Sequence, residues 1–154
     1  MTEETLGTRH SPWATRGLKA LCVDLPVMEY TEVWNLQGRL VAARRDSEID
    51  KDIILLLEHP PLFTLDRRGG RENLTVSNDF LKEAGIPVIQ VERGGNITFH
   101  GPGQLVMYPI IDLRGGRLGV TDYVTALEEV MIRVAGDWGV RAERNSLNRG
   151  MSSS

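Results

Sequence analysis

The stretch "PVIQVERGGNITFHGPGQLVMYPIIDL", residues 87–113, decides the fold class. Three β-rich pieces, 87–92, 96–100 and 104–113, are separated by two tight, glycine-bearing turns. Such turns cannot hold the crossover helix that parallel neighbours require, so successive pieces are expected to pair antiparallel. Gly94 and Gly95 can take positive φ at the first reversal, and Gly101 and Gly103 around Pro102 allow the second. Between the turns, period-two alternation sends Asn96, Thr98 and His100 to one face and Ile97 and Phe99 to the other. The polar trio is expected to face a cleft and the apolar pair to join the core. By spacing alone, two ordinary hairpin turns around a hydrogen-bonded edge histidine account for the same residues. A P-loop or dinucleotide fingerprint does not, because both need strand, glycines and then helix, and here the glycines bracket strands.

Upstream, "LKALCVDL" (18–25) alternates as a strand that ends at Pro26. Tyr30, Val33, Trp34, Leu40 and Val41 then share one stripe of an amphipathic helix. "DIILLLEH" (52–59), an unbroken apolar run, reads as a strand covered on both faces, stopped by Pro60 and Pro61. "LFTL" (62–65) reads as a brief strand before the "DRRGGREN" loop, and Ser77–Ala84 as a short helix with Ser77 as N-cap and Gly85 past its end. Downstream, a helix is expected with Thr121 as N-cap, Asp122 in its first turn, a stripe of Tyr123, Val124, Leu127, Met131, Val134 and Trp138, and Gly139 as terminator. "VRAE" (140–143) reads as a last strand. The stripes carrying Trp34 and Trp138 read as core. The order of elements points to an α/β domain of mixed α+β character.

A chain of 154 residues suits one domain, with a polar, aperiodic leader over 1–17. The net charge of −3 is not concentrated into a basic region, which argues against a nucleic-acid binder. Fifteen of the 18 basic residues are arginines, planar forks suited to carboxylate or phosphate. A single cysteine, Cys22, excludes an internal disulfide and a multi-cysteine metal site, and fits a reducing compartment. No secretory h-region is present, and no run approaches the roughly 18 apolar residues of a membrane span. A cytoplasmic location is expected, with an organelle left open. No metal site and no membrane or nucleic-acid partner are expected.

"RGGNITFHGPGQLVMYPIIDL" closely resembles the signature segment of the octanoyltransferases of lipoate biosynthesis, the lipoyl(octanoyl) transferases. The likeness continues through "YTEVWNLQGRLVAARR", "LEHPPLFTLDRRG" and "GDWGVRAERN", covering roughly 18–150 in order. It implies a lipoate/biotin ligase-like mixed sheet flanked by helices, and transfer of octanoyl from acyl carrier protein to a lysine of a lipoyl domain. Those domains belong to 2-oxoacid dehydrogenase or glycine cleavage complexes. It assigns substrate binding to Arg93, Gly94, Gly95, Asn96, Ile97, Thr98, Phe99 and His100. No cofactor is implied, since the octanoyl-carrier protein is itself a substrate. The family chemistry uses a cysteine thiolate whose pKa a lysine lowers.

The resemblance also implies that both catalytic residues follow the "RAERN" strand. Here no lysine lies beyond Lys82 and no cysteine beyond Cys22. Cys22, mid-strand among apolar residues, reads as a buried, inert thiol. The expectation is a C-terminally truncated, inactive octanoyltransferase with a non-family tail at 151–154, an incomplete sheet and poor stability. His59, at a strand end before two prolines, reads as a cap or turn contact rather than a catalytic residue. The three arginines of "DRRGGRE" (66–72) read equally as a solvated loop or a docking patch for an acidic carrier protein. Two alternatives stand beside the transferase: a lipoate/biotin-ligase-like protein, which must also hold ATP, and a non-catalytic fragment that binds acyl chains or carrier protein.

Overall fold

The computed structural model describes residues 20–66, 70–92, 96–144 and the backbone of 151–153. The chain divides into two compact units, with the boundary between Ile111 and Asp112. The leader at 1–17, Arg93, Gly94 and Gly95 lie outside the described residues, as do Arg67 and Arg68 of the arginine loop.

The first unit holds two three-stranded sheets, β1 (Ala20–Asp24), β2 (Asp52–Leu57) and β6 (Val106–Ile110) in the order β1-β2-β6, and β3 (Leu62–Asp66), β4 (Val88–Val91) and β5 (Thr98–His100) in the order β4-β3-β5. Each sheet is mixed. β1 runs parallel to β2 and β6 antiparallel to it, while β4 runs parallel to β3 and β5 antiparallel to it. The fold class is therefore the expected α/β mixture.

The expected sequential antiparallel pairing of the three pieces in 87–113 does not occur. β3 stands between β4 and β5, and β6 joins the other sheet. The six positions between Val91 and Thr98 are enough for this, because two inter-strand spacings amount to only about 10 Å and six residues reach about 20 Å. A short connection thus excludes a crossover helix without imposing a hairpin.

Helix α1 (Tyr30–Arg45) ties the two sheets together. Tyr30 packs on Leu62, Val91 and Ile89, whereas Val33, three residues on and so on the same face, packs with Ile53, Leu55, Leu57 and Ile110. In β2 the odd positions are buried and Asp52, Ile54 and Leu56 only half-buried, so one face is fully covered rather than the expected two. The same one-sided cover explains Cys22. Val23 and Leu25 face the α1 core, and Cys22 alternates to the other side of an edge strand, where it is exposed rather than buried. Trp34 is likewise 44% exposed, not core, because Tyr30 and Val33 occupy the contact stripe.

The short helix α2 (Asn78–Glu83) follows expectation. Ser77 Oγ accepts from the Phe80 amide at 3.1 Å, and Gly85 takes φ 65° just beyond the end.

The second unit contains α3 (Val120–Asp137), β7 (Ala142–Arg144) and β8 (Met151–Ser153), the two strands pairing antiparallel. The N-cap of α3 is Gly119, not Thr121, which lies inside the helix and whose carbonyl accepts from Thr125 Oγ1 at 2.9 Å. Asp122 lies in the first turn close to Gly119, an acidic neighbour for the positive end of the helix. Gly139 terminates it at φ 76°. None of its residues is buried, and Trp138, expected in the core, is 82% exposed. Arg144 of β7 reaches Glu128 and Glu129 at 3.3 and 3.1 Å.

Candidate functional site

Strand alternation sends His100 toward Tyr30 and His59, with ring centroids 6.0 and 5.7 Å away. Phe99 goes the other way, onto Phe63 at 5.1 Å across the β3–β5 pair. The expected division of faces is there, but Phe99 does not join the core. It is 45% exposed because both sit on the face of this sheet that α1 leaves open.

His59 is wholly buried. Its Nδ1 lies 2.7 Å from the Met28 carbonyl oxygen, and its Nε2 lies 2.9 Å from the Tyr108 hydroxyl. A carbonyl only accepts, so Nδ1 carries the hydrogen; Nε2 of the neutral ring then accepts, and Tyr108 donates. Burial, with Tyr30 adding a smaller repulsion, pushes the Tyr108 phenol well above its usual range and keeps it a donor. His59 is therefore not the cap or turn contact its position suggests but a buried link between segments far apart in the chain, because both ring nitrogens find their partners on other elements. Around it gather Tyr30 at 5.3 Å and Tyr108 at 5.9 Å between ring centroids.

The turn after His100 sets that side chain. Gln104 N donates to Gly101 O at 3.1 Å, with Pro102 and Gly103 at the centre, and Gly103 has φ 83°. This residue choice is that of a type II turn, in which the third position needs glycine. Gln104 Nε2 donates to Phe99 O at 3.2 Å, which turns its Oε1 to the His100 Nδ1 at 2.8 Å. Glu58 Oε2 accepts the Gly103 amide at 2.7 Å. A Cβ at Gly101 would lie 2.8 Å from the Phe99 ring, so this glycine makes room for the ring to fold back.

The other substrate-binding candidates divide. Thr98 and Ile97 are half-buried in or next to β5. Asn96, expected on the cleft face with Thr98 and His100, instead bonds to its own strand's backbone and to a neighbouring turn. Its Oδ1 accepts from Ile97 N at 2.7 Å and Asn73 Nδ2 at 2.9 Å, which fastens the strand to the 3-10 turn Arg71–Asn73. Tyr30, Glu58, Gln104 and Tyr108 are site residues that sequence reasoning passed over. The Glu58-His59 pair ahead of two prolines is the one signal for them, since a polar pair ending an apolar strand needs partners.

Next to Tyr30 a cavity of about 290 Å³ opens between α1 and β4, walled by Thr31, Trp34, Ile89 and Val91 among others. It stands near the lower end of small-ligand pockets, about 300–1,000 Å³. Apolar walls with the Tyr30 phenol among them can hold a short aliphatic chain with a polar head. The cluster contains no thiol or amine. Among the described residues no group of three or more His, Cys, Asp or Glu could hold a metal, and no helix is long and apolar enough to cross a membrane.

The lipoyl protein ligase A/B catalytic domain matches residues 29–153. An octanoyltransferase of Desulfotalea psychrophila is 50% identical over 129 residues, 84% of this chain and 58% of the relative. That of Syntrophobacter fumaroxidans is 49% identical over 133 residues, 86% of this chain and again 58% of the relative. The chain thus spans somewhat more than half the length of these curated relatives. Among solved structures, P. falciparum LipL1 in complex with lipoate superposes with a TM-score of 0.60 at 12% identity, covering 87% of this chain and 40% of that one. The T. acidophilum protein Ta0514 with bound lipoic acid gives 0.57 at 19% identity, covering 85% and 52%. The latter two likenesses establish the fold, and the family match with the far closer sequence relatives establishes the rest: this chain belongs to the lipoyl protein ligase A/B catalytic-domain family, and within it to the octanoyltransferases.

Proposed function

We propose that this chain forms the acyl-binding portion of an enzyme that moves an octanoyl group from the thiol of acyl carrier protein to a lysine amine of a lipoyl domain. The observation that carries the reading is that Tyr30, whose ring meets those of His59 and His100, also walls the 290 Å³ cavity. Ile89, Val91 and Trp34 supply apolar walls for the tail. The segment Arg93–His100 takes the carbonyl end, where Gly94 and Gly95 let main-chain amides approach without a Cβ in the way.

In the reaction a cysteine thiolate attacks the thioester carbonyl, a new C–S bond forms, and the carrier thiol leaves. The lysine amine then attacks the same carbonyl, an amide forms, and the cysteine thiol is regenerated. Thioester exchange is nearly balanced in energy, so no nucleotide or metal is called for. Cys22 is a poor candidate for this nucleophile, because it lies on the exposed face of β1 turned away from the α1 core. The 154 residues alone are therefore expected to bind the donor without turning it over. Lipoyl domains of 2-oxoacid dehydrogenase or glycine cleavage complexes are the acceptors that fit this chemistry, and the cytoplasm is the compartment that supplies the carrier.

Titration of octanoyl-loaded acyl carrier protein into the chain tests the reading. Saturable binding tighter than that of the acyl-free carrier is expected, with no octanoyl-lysine appearing on added lipoyl domain. Val91→Trp, which fills the cavity, should erase the preference. Equal binding of loaded and acyl-free carrier, or binding that needs ATP, defeats the proposal.

A further inference from the structure

We propose that Glu58 and His59 are positioning residues of this site, which fix the direction of His100 without touching substrate themselves. The role rests on the acyl-binding reading above, but the geometry behind it stands separately. Two adjacent side chains at the end of β2 fasten three different segments. Glu58 holds the Gly103 amide of the 101–104 turn, and His59 holds the Met28 carbonyl ahead of α1 and the Tyr108 hydroxyl of β6. The Glu58 carbonyl also accepts from Met28 N at 3.1 Å, which closes a ring of bonds through both residues.

The turn so held is the one that orients His100. Its Nδ1 edge is committed to Gln104 Oε1, and the Gln104 amide is itself set by Phe99 O. His59 meets the His100 ring edge-on, with an interplanar angle of 77°. A carboxylate accepting a main-chain N–H at 2.7 Å is a charge-assisted bond, stronger than the neutral ones around it. It is also made to the glycine at φ 83°, the position on which the turn depends. Loss of the Glu58 acceptor would free the turn relative to β2, and with it the His100 imidazole, while leaving His59 in place.

Imidazole nitrogen spectra of the ¹⁵N-histidine-labelled 154-residue chain test this directly, with His10→Gln and His100→Gln variants used for assignment. His59 is expected as the Nδ1–H tautomer and His100 in a single environment. Glu58→Ala should shift or broaden the His100 signals and leave the His59 tautomer unchanged. Glu58→Gln should restore them, because its amide oxygen still accepts from Gly103. Affinity for octanoyl-loaded carrier protein should fall about tenfold in the alanine variant and recover in the glutamine one. An Nε2–H tautomer at His59, or His100 signals indifferent to Glu58→Ala, overturns the proposal. The wild-type tautomer decides even if Glu58→Ala fails to fold. A wild-type chain that ignores the octanoyl-loaded carrier would remove the acyl-binding reading, and the spectra would still judge the positioning role.

Discussion

Helices α1 and α3 have 16 and 18 residues, and each carries an apolar stripe, yet only α1 buries part of its own fully, while Tyr123, Val124 and Leu127 of α3 stay half-buried. Tyr30 and Val33 of α1 are buried against two sheets. Val130, Met131 and Val134 of α3 are 45–52% exposed, although its stripe is the cleaner of the two in sequence. Periodicity states which face of a helix would gain from burial. Only a partner surface at hand converts that preference into stability. For α1 the partner is β2, whose Ile53, Leu55 and Leu57 point to one side and meet Val33 there.

The contrast can be broken by substitution. Leu57→Ala, at a side chain 2% exposed in the α1 core, should cost about 2–5 kcal/mol in urea unfolding. A loss well under 1 kcal/mol would mean that the core is not as closed as its packing indicates. Tyr108→Phe comes next, at about 1–3 kcal/mol, because it leaves the buried His59 Nε2 without its donor. The same variant has a pH signature. The Tyr108 phenol is held above the ordinary value of about 10 when folded, so its contribution is complete below pH ~10 and is lost as pH climbs toward the folded value. Stability of the wild type should therefore decline on that alkaline side, and Tyr108→Phe should remove this part of the decline. A variant curve that keeps the full slope would contradict the assignment.

Gly103→Ala should cost about 1–2 kcal/mol from its left-handed backbone alone, since no atom lies within 4 Å of the added Cβ. Melting that matches wild type would show that the turn relaxes. At the small end, Val134→Ala on α3 should stay within about 0.5 kcal/mol. A cost comparable to that of Leu57→Ala would erase the distinction between the two helices.

Much of the fold was legible, and the reasons are local. Ser77 and Gly85 bracket α2 because an N-cap hydroxyl and a left-handed terminator are backbone chemistry that works in any setting. β2 could be read from its run of Ile and Leu, and the alternation of His100 against Phe99 held because the pleat has a fixed period. Where reasoning failed, it had assumed a neighbour. Apolar neighbours in sequence do not cover Cys22 or Phe99, and short connections do not make β4, β5 and β6 partners of one another. The site shows the same division. His100 stood out by its glycine-flanked setting, but Tyr108 looked like any aromatic on a strand, and Glu58 like any charged residue at a strand's end.

By itself the sequence determined the identity and span of most elements, the alternation of side chains along the strands, the turn after His100 and the family. These depend on φ/ψ preferences and side-chain period, which act over a few residues. The tertiary structure alone decided that β3 separates β4 from β5, that α1 straddles both sheets, and that Met28, His59 and Tyr108 share one hydrogen-bonded chain. Sheet order and buried polar partnerships join residues up to 49 positions apart, and no local preference specifies which of many compatible partners will be met. That choice is made by the packing of the whole.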